Sequence, residues 1–328
     1  MKPSNSTLAR RASTVFTFVA TLSVGADSGF AVENLRDAVL RVAFTRNVFS
    51  GINEADATAA SRVWIQGIGK TRGFRLQAET EIYDHVENLE SRLSEGTVDL
   101  IIVDSFHFLD LVRSEARITP VFIPDYTKFV LDDYILLSVQ ESEPVSLRKL
   151  KGSNLALLHT IGCNLSRIWL DTFLAGREKM GTEDFFGRTD EVFTASRAIL
   201  PVYFGQYDAC VVDRSSFDVM VELNPQLGAK LAVVAKSPGY LETVVCLRND
   251  YTEYRDELIS ALNEMHTLPT GQQLLMIFKV DRLRPYEPRY LETVKALYGM
   301  HRGFEAESSN RWSREARADS DGEGDRDE

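Results

Sequence analysis

Residues 150–174, LKGSNLALLHTIGCNLSRIWLDTFL, hold a compact apolar run, a glycine-containing turn and a segment whose apolar residues recur at helical spacing. The run over 154–158 is short and, after Asn154, apolar, as a buried strand is, and from Asn164 onward Leu165, Ile168, Trp169 and Phe173 share one helix face. A strand that delivers its loop onto a helix start is the repeating unit of α/β folds. A helix start carries unpaired N–H groups and a partial positive charge, so Thr160, Gly162, Cys163 and Asn164 are candidate contacts for an anion or a carbonyl group. Asn164 has a second reading, as the cap of its own helix.

Upstream, the same unit recurs. The apolar run over 40–44 reads as a strand, and a helix is expected over 54–68 with Ala59, Ala60, Val63, Trp64 and Ile68 on its buried face. A second strand follows over 75–80, a helix over 84–95 that stops at Gly96, and a third strand over 100–103 that ends at Asp104 and the turn SFHF. In such open sheets ligands sit beyond the carboxyl ends of the strands, which singles out the loops over 45–53, 81–84 and 104–108.

Between the two halves, 118–139 holds two extended apolar segments, TPVFIPD and DDYILLSVQ, and Pro120 and Pro124 bar a long helix there. Paired extended segments between two α/β units predict a hinge. After 150–174 the pattern gives a strand over 190–194, a helix over 196–204 with Pro201 in its first turn or two, and a strand over 209–212 ending at Asp213. Strands over 231–235 and 244–248 flank KSPGYLET, read as a return connection, and amphipathic helices are expected over 254–265, 270–278 and 288–298.

The chain has 328 residues, enough for two lobes, and its 44% hydrophobic and 26% charged composition is that of a water-soluble globular protein. Of the formal charge of −11, residues 305–328 carry −5 and residues 1–31 carry +2, leaving an acidic body with no basic field for nucleic acid. Lys2, Arg10 and Arg11 precede an apolar run and small residues near Ala26 and Ala31, the pattern of a cleavable export signal over 1–31. From Glu305 the chain is polar and acidic, as a disordered tail is. Cys163, Cys210 and Cys246 form no disulfide framework, and neither they nor the five histidines have metal-ligand spacing, so no metal or cofactor is expected. Cys210 and Cys246 fall in strand-like runs and read as small core residues.

Five segments together resemble a family. LRVAF (40–44), EGTVDLIIVDSFHFLDL (95–111), LRKLKGSNLALL (147–158), FGQYDACVVDRSSFDVMVELNPQL (204–227) and KSPGYLETVVCLRND (236–250) are similar, in this order, to the phosphate/phosphite/phosphonate-type periplasmic substrate-binding proteins of ABC transporters. The resemblance spans residues 38–300. It implies a two-lobed type 2 periplasmic-binding-protein fold, each lobe an open mixed α/β sheet, joined by a two-strand hinge. The expected division is a first lobe over 32–137, a second over 138–242, and a return to the first lobe with C-terminal helices over 243–304.

The resemblance also implies site residues. The second-lobe turn that holds the ligand oxyanion in the family corresponds here to HTIGCN, which supplies one hydroxyl, Thr160, and close backbone approach at Gly162. Asp213 matches a family acid near the ligand and suits an amine or a protonated oxyanion. Asn47, Phe49, Phe106 and His107 occupy loops that resemble the family's first-lobe contacts, and Ser196 opens a second-lobe helix. The expected function is that of a monomeric receptor that encloses a small anionic ligand, phosphonate- or phosphate-like, between its lobes and delivers it to an ABC permease. Two alternatives stand beside it: a ligand-sensing module for a membrane signalling partner, and an enzyme in which Cys163 and His159 act as nucleophile and base. The Cys163–His159 pair lacks a third member on its loop, and no catalysis is expected.

Overall fold

The computed structural model of the protein describes residues 35–49, 52–126, 130–140, 146–159, 164–304 and 306. The expected export signal over 1–31, Thr160, Gly162, Cys163 and, except for residue 306, the acidic tail lie outside the described residues.

The first half runs β1 (Arg36–Thr45), α1 (Glu54–Thr71), β2 (Phe74–Tyr83), α2 (Val86–Ser94), β3 (Leu100–Asp104), α3 (Ser105–Arg113) and β4 (Ile118–Asp125). Asn53 starts α1 because its side-chain oxygen accepts from the Asp56 N–H at 3.1 Å. The buried face of α1 is Ala57, Ser61, Trp64, Ile65 and Ile68, whereas Val63 is 56% exposed. The face expected from sequence was thus rotated: Trp64 and Ile68 were placed correctly, Ala59 and Val63 were not. The segment SFHF, read as a turn, is the first turn of α3, held by Asp104, whose carboxylate accepts from the His107 N–H at 3.0 Å.

The second half holds β5 (Asp132–Val139), β6 (Asn154–Leu158), α4 (Leu165–Glu178), α5 (Thr182–Phe185), β7 (Arg188–Val192), α6 (Ala195–Tyr203), β8 (Ala209–Asp213), α7 (Arg214–Leu223), α8 (Pro225–Lys230) and β9 (Leu231–Tyr240). The chain returns through β10 (Thr243–Arg248), α9 (Arg255–Asn263), α10 (Pro269–Ile277) and β11 (Arg282–Pro285), and ends in a helix over 292–304.

Two mixed sheets result, as the fold class expected. The first has the order β11-β4-β10-β3-β1-β2, with β1 parallel to β2 and β3, and β10 antiparallel to β3 and β4. The second has the order β7-β6-β8-β5-β9, with β6 parallel to β7 and β8, and β5 antiparallel to β8 and β9. The chain crosses between sheets twice, after β4 and between Tyr240 and Thr243. Because β5 pairs throughout with β8 and β9, the first crossing lies ahead of Asp132, earlier than the expected boundary at 137. The KSPGYLET segment is mostly strand rather than connection. β9 is an edge strand, so Pro238 costs no interior ladder bond and the strand extends to Tyr240.

Each sheet buries one face under its own helices: α1, α9 and α10 cover the first, α6, α7 and α8 the second. The other faces share one apolar cluster, in which Val103, Phe106 and Leu109 join Leu155, Leu157 and Trp169. Leu291, Val294 and Leu297 of the C-terminal segment complete it. That helix touches both sides, since Tyr298 donates to Asp110 on α3 at 2.6 Å and Thr293 donates to the Gly239 carbonyl on β9 at 2.6 Å. Cys210 and Cys246 are fully buried core residues, and burial pushes both thiols up.

Candidate functional site

The two crossings and the carboxyl ends of β6, β7 and β8 border a cleft of about 440 Å³. From the first-sheet side come Pro124, Tyr126, Thr243, Phe278 and Lys279; from the second come His159, Thr194, Ala195, Asp213 and Tyr240. Asp132 and Glu242, which sit on the two crossings, face into it from the hinge. This is the place the strand-end rule assigns to a ligand, and the size suits a small molecule.

Three carboxylates dominate the cleft. Asp213 caps α7, accepting from the Ser216 N–H at 2.7 Å. The Ser215 hydroxyl lies 2.6 Å from Asp132 Oδ2 and 2.9 Å from Asp213 Oδ1. Glu242 accepts from the Tyr134 hydroxyl at 2.7 Å, and its carbonyl accepts from the Ser105 N–H at 2.9 Å, so it ties β5 to the start of α3. Burial and the nearby Asp213 charge push Asp132 up to about 6, against the opposing Ser215 bond. Burial pushes Glu242 up to about 7, with Asp213 and Asp132 adding to it and the Tyr134 bond opposing. Burial, with the Glu242 and Asp132 charges, also raises the Tyr126 hydroxyl. Among the described lining residues Lys279 carries the one fixed positive charge, and no described carboxylate pairs with it.

The second-lobe wall opens on two helix starts. Thr194 makes no side-chain cap on α6, and the start of that nine-residue helix lines the cleft at Thr194 and Ala195. Asn164 stands at the N-cap of α4 in the left-handed region at φ 51° and makes no side-chain cap either. Its amide nitrogen instead lies 3.3 Å from His159 Nδ1 and donates to Glu191 at 3.3 Å, while its oxygen accepts from Ser166 at 2.8 Å. The second reading of Asn164, a side-chain cap, is therefore not what the fold uses. His159 packs beside Phe193, ring centroids 5.4 Å apart and planes tilted by 47°, and Phe193 is 69% exposed where it lines the cleft.

Of the residues singled out from sequence, Asp213 lines the cleft, and Asn164 reaches it through His159. Ser196 is exposed on the first turn of α6, 3.3 Å from the Thr194 hydroxyl. Phe49 is buried against Phe44 and Phe278, and Asn47 sits half-buried in the turn before it. Phe106 is buried against Tyr298 and His301. His107 bonds Asp104 at 2.6 Å; burial draws its imidazolium down, but the Asp104 bond and charge outweigh this and leave it raised. None of Asn47, Phe49, Phe106 and His107 lines the cleft wall formed by the described residues. Asp132, Glu242, Tyr126, Thr194 and Lys279 were missed. The one sequence signal for Asp132 and Glu242 was their position at the ends of extended apolar segments, where a charge is out of register with the strand pattern.

No curated protein matches the chain by sequence. Solved structures match by fold. The protein XAC2383 from Xanthomonas citri, bound to chloride ion, is similar at TM-score 0.57 and 15% identity, over 82% of this chain and 99% of that one. A binding-protein component of an ABC phosphonate transporter (PA3383) from Pseudomonas aeruginosa matches at TM-score 0.53 and 12% identity, over 81% and 87%. PhnD1 from Prochlorococcus marinus (MIT 9301), in complex with methylphosphonate, matches at TM-score 0.51 and 16% identity, over 79% and 96%. The sequence profile described as "ABC transporter, phosphonate, periplasmic substrate-binding protein" matches residues 48–290, most of the chain. The match covers well over half of the chain, and the chain belongs to the phosphonate periplasmic substrate-binding proteins of ABC transporters.

Proposed function

We propose that the protein is a monomeric, exported receptor that encloses a small zwitterion, an oxyanion bearing an amine, and delivers it to an ABC permease. The observation that carries this reading is that Asp132, Asp213 and Glu242 line the same cleft as Lys279 and the uncapped start of α6. A dianion alone would meet three acidic groups, all ionised once pH passes about 7, and be repelled, whereas an ammonium group gives them a partner and leaves the oxyanion for Lys279 and the α6 N–H groups. The turn that includes Thr160, Gly162 and Cys163 is a further oxyanion contact in this reading, on the strength of the sequence resemblance. Binding across the crossings favours a closed form in proportion to the ligand's preference for it, and that form is what a permease would read. The family is one of transport receptors, and the basic-then-apolar segment over 1–31 is the export signal in this reading.

The test is a thermal-shift and calorimetric screen of the chain from residue 32 against phosphate, methylphosphonate, sulfonates, 2-aminoethylphosphonate and 1-aminoethylphosphonate. A ligand at 100 times its Kd stabilises by about 2.7 kcal/mol, a shift of several degrees. The aminophosphonates are expected to shift the midpoint most. Equal or stronger stabilisation by methylphosphonate would remove the amine from the reading, and no shift with any compound would remove the receptor role.

A further inference from the structure

We propose that an apolar cavity inside the first-lobe core is a subsite for the hydrocarbon tail of the cleft ligand. The inference rests on the receptor reading above and narrows its ligand to an aminophosphonate with an apolar side chain. The cavity, of about 100 Å³, lies between the first sheet and helices α1 and α10, walled by Phe44, Ser61, Trp64, Ile65 and Leu275. It shares Pro124, Tyr126, Thr243 and Phe278 with the cleft, so one wall of the ligand site is also the mouth of the cavity.

Two features say that it is built to be filled. Protein cores are close-packed, and a void of this size forfeits contacts on every side, so a family of core residues that leaves one carries a standing cost. Among its wall residues Trp64 is only 2% exposed, and its indole N–H has no hydrogen-bond partner among the described residues. Buried donors are otherwise satisfied almost without exception. Apart from Ser61, Trp64, Tyr126 and Thr243 the wall is apolar, so a hydrocarbon suits it better than water, which needs two to four polar partners. A tail that enters past Tyr126 and Thr243 fills the void and, if it carries an acceptor, also satisfies Trp64. A 150 Å³ apolar cavity holds benzene, so this one takes a tail of about four carbon atoms.

The experiment is calorimetry on the chain from residue 32 with 1-aminoethyl-, 1-aminopropyl-, 1-aminobutyl-, 1-aminopentyl- and 1-aminoheptylphosphonate. Affinity is expected to rise by about fourfold per methylene through the pentyl compound and then level off. Ser61→Leu fills the cavity from α1 without orphaning a partner, because the bond it removes goes to a helix carbonyl; it is expected to bring the pentyl-to-ethyl affinity ratio to about 1. Tight binding of the ethyl compound with no gain on lengthening overturns the tail subsite and leaves the receptor reading intact. A gain that survives in Ser61→Leu places the tail elsewhere and also overturns it. Should no compound bind, the receptor reading fails and the subsite falls with it. Should Ser61→Leu not fold, the chain-length series on the natural protein decides alone.

Discussion

Asp132 and Asp213 share one hydroxyl, that of Ser215, at 2.6 Å and 2.9 Å. A serine has a single proton to give, so both short contacts are fully satisfied only when one carboxyl group also holds a proton. Asp132, pushed up to about 6 by burial and by Asp213, holds it below about pH 6. A ligand ammonium would displace this proton, and the one that Glu242 holds up to about pH 7, so binding releases protons. Affinity for an aminophosphonate is therefore expected to rise between pH 5 and pH 8, by up to about tenfold per unit for each proton released. Calorimetry in buffers of different ionisation enthalpy reads the proton count directly, and affinity that falls with rising pH would place the amine away from these carboxylates.

Without ligand the same two groups act on stability in the opposite sense. Both are raised in the folded protein above their usual range, so the native state holds protons that the unfolded chain has already lost. Their contribution is fully present below about pH 4 and is lost as pH rises through 6 to 7. Asp132→Asn keeps the shape and removes the charge. Its melting temperature relative to the natural protein is expected to climb by roughly 2–6 °C between pH 4.5 and pH 7.5, from about 1–2 kcal/mol of relieved burial and repulsion. A difference that stays constant over that range would mean that Asp132 titrates normally.

Asp104 and Asp213 both end strands and both cap helices, but they sit in different places. Asp104 is fully buried, with His107 Nδ1 at 2.6 Å and the Thr45 hydroxyl at 3.4 Å, while Asp213 is partly exposed in the cleft. Asp104→Ala is expected to cost about 3 kcal/mol of stability, since it strands the buried Thr45 hydroxyl and the half-buried His107, with little change in ligand affinity once folded. Asp213→Ala is expected to cost about 1 kcal/mol, the value of a cap, and to weaken binding by 10-fold or more. Paired melting and binding titrations separate the two. The reverse order would move the ligand to the β3 edge of the first sheet.

Most of the fold was legible because its strands are short apolar runs with polar ends, and the pairing of TPVFIPD with DDYILLSVQ did mark a passage between sheets. The errors were local. Pro238 and Gly239 read as a loop because proline breaks an interior ladder, yet they lie on the edge strand β9. Pro120 is tolerated inside β4 because it faces the register shift between Val245 and Cys246. The site was less legible than the fold. Tyr134 and Glu242 are 108 residues apart and meet only because the chain crosses between sheets twice, and no local pattern encodes that meeting. Asp213 was visible because it ends a strand in a segment that resembles a family; Lys279 was not, because it follows a helix with nothing in the sequence to tie it to the cleft.

The shared apolar cluster makes a last prediction about how the lobes unfold. Leu297 is 1% exposed and packs in the cluster that joins Val103 and Phe106 under the first sheet to Leu155 and Trp169 under the second. Two lobes with separate cores would melt independently, but a cluster common to both couples them. Leu297→Ala removes buried methyl groups from that cluster and is expected to cost about 2–4 kcal/mol, lowering the midpoint by roughly 4–16 °C. Because the loss is felt on both sides, far-ultraviolet circular dichroism and tryptophan fluorescence should shift together, in one transition. The Thr293 and Tyr298 bonds to β9 and α3 act in the same direction, since both fasten this helix across the sheets. Two resolved transitions, only one of them moved by the substitution, would show that the C-terminal helix belongs to a single lobe.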